Sequence, residues 1–473
     1  MVALVALVCL GSTTTPALAA GAPPPGSVAT VNGDSPHYYR NGYCSANFGL
    51  APSWAGEWPY STAQCPDNYL GGVDPAGHLV LGDVTAKGLR IGVWNLATRH
   101  RLSSRVLPIN GWTVQDLHVG HDGRYYVVLG RENRNESDTY ATVQVRAYDA
   151  ALHPIGVADI DGGAATMGIG SPAGLRVSSV LSNGILLVHM ARYLYPRGFI
   201  AHQANLTFAV DTATMTQYRP DVTFGESYVS HSFAQFAATS GADAVLVDHG
   251  DAYPRAITLT VLRNFFGSGP EGGTRHHTVA RLLPSNRSSI GQNFTGATVN
   301  GMATGAGHAL TVGASLPHRH PIKGISGVKR LSAPNAYVAS TDLRTGRTRW
   351  RWLTKYSPRS HRTVVGEPRI AKIATNRFVV LYHVEMGHKR HSHADYSGRL
   401  RLVYRLVNTA GKVLATKAWK NRRFEPGSQL FVARKRVWWV AGYQRGPEDH
   451  IRTRDLLFGI KVADPRHPKS LHR

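Results

Sequence analysis

The chain of 473 residues carries 53 lysines and arginines against 29 aspartates and glutamates, a formal net charge of +24, and it contains 49 glycines. Charged residues make up only 17% of the chain and helical periodicity is almost absent, which excludes coiled coils and helical bundles. No stretch reaches the roughly 18 continuous apolar residues of a membrane-spanning helix.

The first element is a secretory signal. The segment "MVALVALVCLGSTTTPALAA" holds an apolar run from Val2 to Leu10 and ends in the A-x-A pattern of a cleavage site. It predicts a signal peptide over residues 1–20, although no basic residue precedes the apolar run. We therefore expect a secreted, extracellular protein, either released or associated with the cell wall.

Cleavage would remove Cys9 and leave the pair Cys44 and Cys65. In an oxidising compartment an even pair predicts a disulfide, here one that closes a loop within an N-terminal segment over residues 21–69. The alternative is two reduced cysteines.

From residue 70 onward a unit of about fifty residues recurs, which is the size of a four-stranded propeller blade. Its clearest part is a very apolar second strand, which is often followed by a variable polar loop and an alternating third strand. The second strands begin at His78, Tyr125, Ile185, Ala244, His308, Phe378 and Val437. The sequence predicts an all-β fold, a single β-propeller domain over residues 70–473 with seven blades of four-stranded antiparallel sheet. A stacked array of β-sandwiches is the alternative.

Polar residues follow several of the apolar second strands, as in "VDHGDAYPR" over residues 247–255. In a propeller the loops after alternate strands emerge on one face, so these residues are predicted to form a ligand-binding rim. Polar inner strands add channel-facing candidates such as Asp116. The predicted ligand-binding residues are His118, Arg131, Glu132, His189, Arg192, His202, Asp248, His383 and Glu385.

Three segments, "HQANLTF", "YVSHSFAQF" and "VDHGDAYPR", resemble parts of a group of secreted, largely uncharacterised bacterial proteins. The resemblance covers roughly residues 110–265. It implies an extracellular role and supplies no reaction.

An enzymatic alternative is an extracellular carbohydrate-active enzyme. In a polysaccharide lyase, His231 or His249 would remove the proton next to a uronate carboxylate, Tyr253 would be the acid, and Arg255 or Arg192 would neutralise the carboxylate. In a glycoside hydrolase, Asp251 would pair with a second carboxylate such as Asp248. The sequence leaves open whether any reaction is catalysed.

The positive charge is confined to one part of the chain. Residues 301–473 hold 34 lysines and arginines against 9 acidic residues, whereas residues 1–300 hold 19 against 20. Such an asymmetry indicates an acidic partner, and export favours an anionic polysaccharide or cell-wall polymer over nucleic acid. We expect a monomeric, basic, secreted protein that binds carbohydrate or an anionic cell-envelope polymer. No cofactor or metal is identified from the sequence.

Overall fold

The computed structural model describes residues 28–33, 70–85, 87–98, 100–131, 133, 137, 139–161, 167–168, 177–194, 202–220, 225–250, 252, 254–270, 272–282, 295, 297–315, 335–356, 363–386, 399–420, 429–441 and 455–461. The predicted signal peptide, Cys44 and Cys65 lie outside these residues. No helix in the described part of the chain has the length and apolarity needed to cross a membrane.

Six antiparallel sheets are built from strands that are consecutive in the chain, and we number these sheets as blades 1 to 6. Blade 1 contains β2 (Leu70–Val73), β3 (His78–Thr85), β4 (Gly88–Asn95) and β5 (His100–Leu107). Blade 2 contains β6 (Thr113–Val119), β7 (Tyr125–Gly130), β8 (Ala141–Tyr148) and β9 (Pro154–Asp161). Blade 3 has five strands, β10 (Met167–Gly168), β11 (Ser178–Ser182), β12 (Ile185–Leu194), β13 (His202–Asp211) and β14 (Thr216–Gln217).

Blades 4 to 6 follow the same order from inner to outer strand. Blade 4 contains β15 (Ser232–Ser240), β16 (Asp243–Gly250), β17 (Ala256–Leu262) and β18 (Thr274–Arg281). Blade 5 contains β19 (Gly301–Gly305), β20 (His308–Ser315), β21 (Asn335–Asp342) and β22 (Thr348–Trp352). Blade 6 contains β23 (Thr363–Ala374), β24 (Arg377–Met386), β25 (Arg399–Val407) and β26 (Val413–Lys420).

The remaining sheet is composite, because it joins both ends of the described chain. Its order is β1 (Val28–Gly33), β29 (Asp455–Lys461), β28 (Arg436–Ala441) and β27 (Phe431–Ala433). Strand β1 pairs antiparallel with β29 and places Thr30 opposite Phe458. The N-terminal segment that the sequence set apart as a loop therefore contributes a strand to a sheet.

The inner strands form a ring. Strands β2, β6, β11, β15, β19, β23 and β27 each contact the next in this order, and β27 contacts β2. The predicted all-β propeller of four-stranded antiparallel sheets is confirmed. The prediction of seven blades is wrong: six blades consist of consecutive strands, and the remaining sheet is assembled from both ends of the described chain.

The apolar second strands are the middle layers of the blades. Every residue of β7 is buried, and in β16 only Asp243 is partly exposed. Such a strand has a neighbouring strand on each side and another blade packed on each face. Side chains that point to either face are therefore buried, and the sequence shows a continuous apolar run there. The outer strands alternate, as β22 does, because one of their faces meets solvent.

Acidic residues close several hairpins between third and fourth strands. The Oδ1 of Asp149 accepts hydrogen bonds from the backbone N–H groups of Ala151 and His153. Asp342 accepts in the same way from Arg344 and Thr345. These side chains satisfy turn donors that the strands leave unpaired.

Candidate functional site

A histidine of blade 3 contacts a carboxylate of blade 4. The Nε2 of His189, on β12, lies 3.1 Å from Oδ2 of Asp248, on β16, and their side chains are 0% and 1% exposed. Both residues were predicted ligand-binding residues at the ends of second strands. The structure brings them together inside the contact between two blades.

Two hydroxyls fix the tautomer of His189. Ser227 Oγ donates to Thr207 Oγ1 at 2.6 Å, so the Thr207 hydroxyl is free to donate to Nδ1 of His189 at 2.9 Å. The remaining nitrogen of His189 then carries the proton and donates it to Asp248. The hydrogen bonds then run in one direction, from Ser227 through Thr207 and His189 to Asp248.

Asp248 receives two further donors. Asn205 Nδ2 lies 3.2 Å from Oδ2, and Ser232 Oγ lies 2.7 Å from Oδ1. Gln235, which faces Asp248 across the β15 and β16 pair, donates to Ser232 Oγ at 2.7 Å. Three hydrogen bonds on one carboxylate compensate its burial. We name His189, Asn205, Thr207, Ser227, Ser232, Gln235 and Asp248 the interblade network.

The interblade network connects blades 3 and 4. It contains an imidazole and a carboxylate, of His189 and Asp248, which are the groups that a general acid and base would need. Its members are all buried, so in this conformation it presents no reactive atom to solvent. Within the described residues, Oε1 of Gln235 has no hydrogen-bond partner.

His249 points to the opposite face of β16 from Asp248, as successive strand residues do. Thr295 Oγ1 donates to the carbonyl of Ala297 at 3.0 Å, so it accepts from Nε2 of His249, 2.9 Å away. Burial, aided by the positive charge of Arg255, lowers the pKa of His249 to about 3. His249 is therefore a neutral imidazole, and its Nδ1 has no partner among the described residues.

Three further candidates, His231, Arg192 and Arg255, lie in strands of blades 3 and 4 or directly before them. His231 has a left-handed backbone (φ 53°), and its Nδ1 lies 2.7 Å from Ser230 Oγ. Arg192 is buried, which lowers the pKa of its guanidinium to about 10, with Tyr228 acting in the opposite direction. Arg255 is half-buried just before β17.

A second polar cluster lies on the inner strands of blades 2 and 3. Ser179, on β11, donates to Oδ2 of Asp116, and its Oγ lies 2.9 Å from Nδ1 of His118. Desolvation lowers the pKa of His118 to about 4, a shift that the carboxylate of Asp122 partly opposes. The cluster joins two inner strands through a serine hydroxyl.

Arg131, another predicted ligand-binding residue, lies between β7 and β8. Its guanidinium carbon is 4.2 Å from the ring centre of Trp112 and 3.8 Å from that of Tyr140. Its Nε donates to the carbonyl of Ala141 at 2.6 Å. Aromatic contacts and a backbone hydrogen bond together hold this side chain.

For most of the remaining candidates the structure describes only the backbone or does not describe the residue. Asp251, Tyr253 and Glu132 lie outside the described residues. His202 and Glu385 occupy β13 and β24, where only their backbone is described, and His383 is buried in β24. In the described part of the chain no three His, Cys, Asp or Glu side chains are grouped as metal ligands would be.

The outer strands of blades 4, 5 and 6 carry the positive charge. In β22, Arg349 and Arg351 are exposed, while Trp350 and Trp352 pack against the core. Trp350 Nε1 donates to the carbonyl of Val279 on β18, and Arg351 packs beside Gly411 in the hairpin before β26, so the three outer strands adjoin. We name the exposed or half-buried residues Arg275, Arg281, Arg347, Arg349, Arg351, Lys412, Lys417 and Lys420 the cationic outer surface.

Sequence reasoning missed the residues with small polar side chains. Asn205 and Thr207 alternate along β13, and Ser232 lies beside the predicted His231. Polar residues at every second position of an otherwise apolar strand signal a buried polar partner, and "HQANLTF" carries that pattern.

No family model matches the chain, and no curated protein matches it in sequence. Similar solved structures include a member of the DUF4221 family from Bacteroides vulgatus (9% identity, 84% of this chain and 93% of that chain, TM-score 0.36). Others are oligogalacturonate lyase from Vibrio parahaemolyticus (10%, 92% and 98%, TM-score 0.42) and the β-propeller domain of the Trilobed protease from Pyrococcus furiosus (10%, 83% and 93%, TM-score 0.40). At such identities and TM-scores these likenesses carry no argument about activity. The strands and their pairing define the class, a β-propeller, and the charged strands give it a cationic outer surface.

Proposed function

We propose that the protein is a secreted, ligand-binding β-propeller that holds an anionic polysaccharide or another acidic cell-envelope polymer on its cationic outer surface. The main observation in support of this proposal is the positive charge of that surface. Residues 272–282, 335–356 and 399–420 contain thirteen lysines and arginines and one acidic residue, Asp342. A surface of one sign that spans three blades attracts a polymer of the opposite sign.

The spacing of the charges suits a polymer better than a small ligand. Arg347, Arg349 and Arg351 are exposed at alternate positions, so they share one face of the chain at steps of about 6.8 Å. Lys417 and Lys420 continue the charge on the next blade, where Lys417 lies over the ring of Trp419. A small anion would meet one or two of these groups, whereas a linear polyanion would meet many.

Protection of sheet edges explains part of this charge, since lysine and arginine on an edge strand prevent pairing with another chain. The outer strands β5, β18, β22 and β26 each carry two lysines or arginines, which is enough for that purpose, whereas β9 of blade 2 has none and carries Asp159 and Asp161. Edge protection does not account for the further cations in the hairpins of blades 5 and 6, Arg347 and Lys412, and these support a binding role.

Catalysis receives less support. Asp248 and His249 point to opposite faces of β16, and Asp248 is occupied by the interblade network. The lyase roles assigned to Tyr253 and Arg255, and the hydrolase role of Asp251, stay predictions. These contacts support binding more than catalysis as the function.

The proposal is tested by mixing the full mature chain with isolated cell wall, with polygalacturonate and with neutral dextran, at low and high salt. We expect retention on the acidic materials that fades with salt, without release of unsaturated sugar products that absorb ultraviolet light. Equal retention on dextran, or salt-independent binding, would contradict the proposal, and product formation would establish the lyase alternative.

A further inference from the structure

A second feature suited to ligand binding lies on blade 2, away from the cationic outer surface. Trp112 precedes β6, Arg131 follows β7 and Tyr140 precedes β8. Loops from a second strand to a third, and from a fourth strand to the next blade, emerge on the same face of a propeller. The guanidinium of Arg131 lies over both aromatic rings on that face, at 4.2 and 3.8 Å.

Arg131 is held in one orientation. Its Nε donates to the carbonyl of Ala141, and its backbone N–H donates to the carbonyl of Thr142 at 2.9 Å. Trp112 is itself fixed, because its ring packs on the apolar core between blades 1 and 2. A side chain ordered before binding loses little entropy when a ligand arrives.

Two described residues that follow Arg131 in the chain are held by each other. Asn133 is buried and exchanges two hydrogen bonds with the backbone of Ser137, at 2.8 and 3.0 Å.

The terminal nitrogens of Arg131 and the ring of Tyr140 define the chemistry of the ligand. The terminal nitrogens Nη1 and Nη2 of Arg131 have no hydrogen-bond acceptor among the described residues, and the Tyr140 side chain beside them is 39% exposed. A guanidinium fork matches a planar carboxylate with two parallel hydrogen bonds. An exposed aromatic ring offers a surface for the C–H face of a sugar.

We propose that Trp112, Arg131 and Tyr140 form a subsite for one carboxylate-bearing sugar, a uronic acid unit. The carboxylate accepts from Nη1 and Nη2 while the sugar ring packs on Tyr140. Residues 131–140 include Glu132, Glu136 and Asp138 against two arginines, which disfavours a dense polyanion and leaves a single carboxylate as the fitting group. The subsite goes beyond the proposed polymer surface and does not depend on it.

The test titrates glucuronic acid and glucose into the full mature chain, with tryptophan fluorescence and calorimetry as readouts. We expect glucuronic acid to bind at least about tenfold more tightly than glucose. Arg131→Lys, which keeps the charge and loses the fork, should weaken glucuronic acid at least about tenfold. Arg105→Lys, at an exposed arginine on β5 of blade 1 outside both surfaces, is the matched control and should leave this affinity unchanged.

Tyr140 gives an independent pair of variants if Arg131→Lys fails to fold. Tyr140→Phe should keep the affinity and Tyr140→Ala should lose it, at unchanged melting temperature. Equal affinity for glucuronic acid and glucose, or wild-type affinity in both Arg131→Lys and Tyr140→Ala, would overturn the subsite. A chain that is not retained on isolated cell wall would contradict the role of the cationic outer surface, but not the subsite.

Discussion

Asp248 of blade 4 accepts a hydrogen bond from His189 of blade 3 at 3.1 Å, with both side chains shielded from solvent. The bond links second strands of adjacent blades, where the apolar packing is otherwise continuous. A polar link at such a position fixes how one blade sits on the next, because any other alignment leaves buried donors without acceptors.

Asp248→Asn should lower the free energy of unfolding by about 2 to 4 kcal/mol. The amide keeps the shape of the side chain but turns two donor hydrogens toward groups that already donate, namely His189, Asn205 and Ser232. Denaturant unfolding measures the change. The control is Asp159→Asn, an exposed carboxylate on β9, and equal stability of the two variants would contradict the role of Asp248.

Stability should fall in acid because of His249. Its pKa is near 6.5 when unfolded and about 3 when folded, so the unfolded chain binds the proton first as pH falls. The contribution is fully present above about pH 6.5 and is lost toward pH 3, at up to about 1.4 kcal/mol per pH unit.

His249→Gln tests this contribution, since the glutamine amide can still donate to Thr295. We expect the free energy of unfolding of this variant to depend less steeply on pH between about 6.5 and 3 than that of the wild type. The exposed His153→Gln is the control. Parallel curves for His249→Gln and wild type would show that His249 is not buried in neutral form.

Thr30→Pro should destabilise the whole propeller. Thr30 lies in the middle of β1 opposite Phe458, and proline removes an N–H and disrupts the strand geometry that joins the two ends of the described chain. We expect a loss of a few kcal/mol by thermal unfolding, whereas Thr30→Ala, which keeps the N–H, should cost less than about 1. Similar melting temperatures would mean that β1 does not contribute to stability.

The strands were predictable from the sequence because the burial of each strand determines the local pattern of its apolar and polar residues. "AVLVDHG" reads as a continuous apolar run with a polar end, and β16 is accordingly a middle strand. The pairing of β1 with β29 was not predictable, since it joins residues more than four hundred positions apart by backbone hydrogen bonds that leave no pattern in the side chains.

The candidate site was also predictable only in part. Asp248 looks like a rim residue in the sequence, yet it is buried, because the adjacent blade supplies two of its partners, His189 and Asn205. "HQANLTF", "YVSHSFAQF" and "VDHGDAYPR" all contribute to the interblade network, through Asn205, Ser232 and Asp248 among others. Only the packing of blade 3 on blade 4 reveals that these three segments meet.

The most direct test of the central claim compares Arg349→Glu/Arg351→Glu with Lys87→Glu/Arg101→Glu by calorimetric binding to polygalacturonate at increasing salt. All four residues are exposed and both pairs change the net charge equally, but only the first pair lies on the cationic outer surface. We expect the first pair to weaken binding at least about tenfold and to flatten its salt dependence, and the second pair to retain nearly wild-type affinity. Equal losses in the two double variants would mean that net charge alone attracts the polymer, and the claim of a specific binding surface on blades 4 to 6 would be wrong.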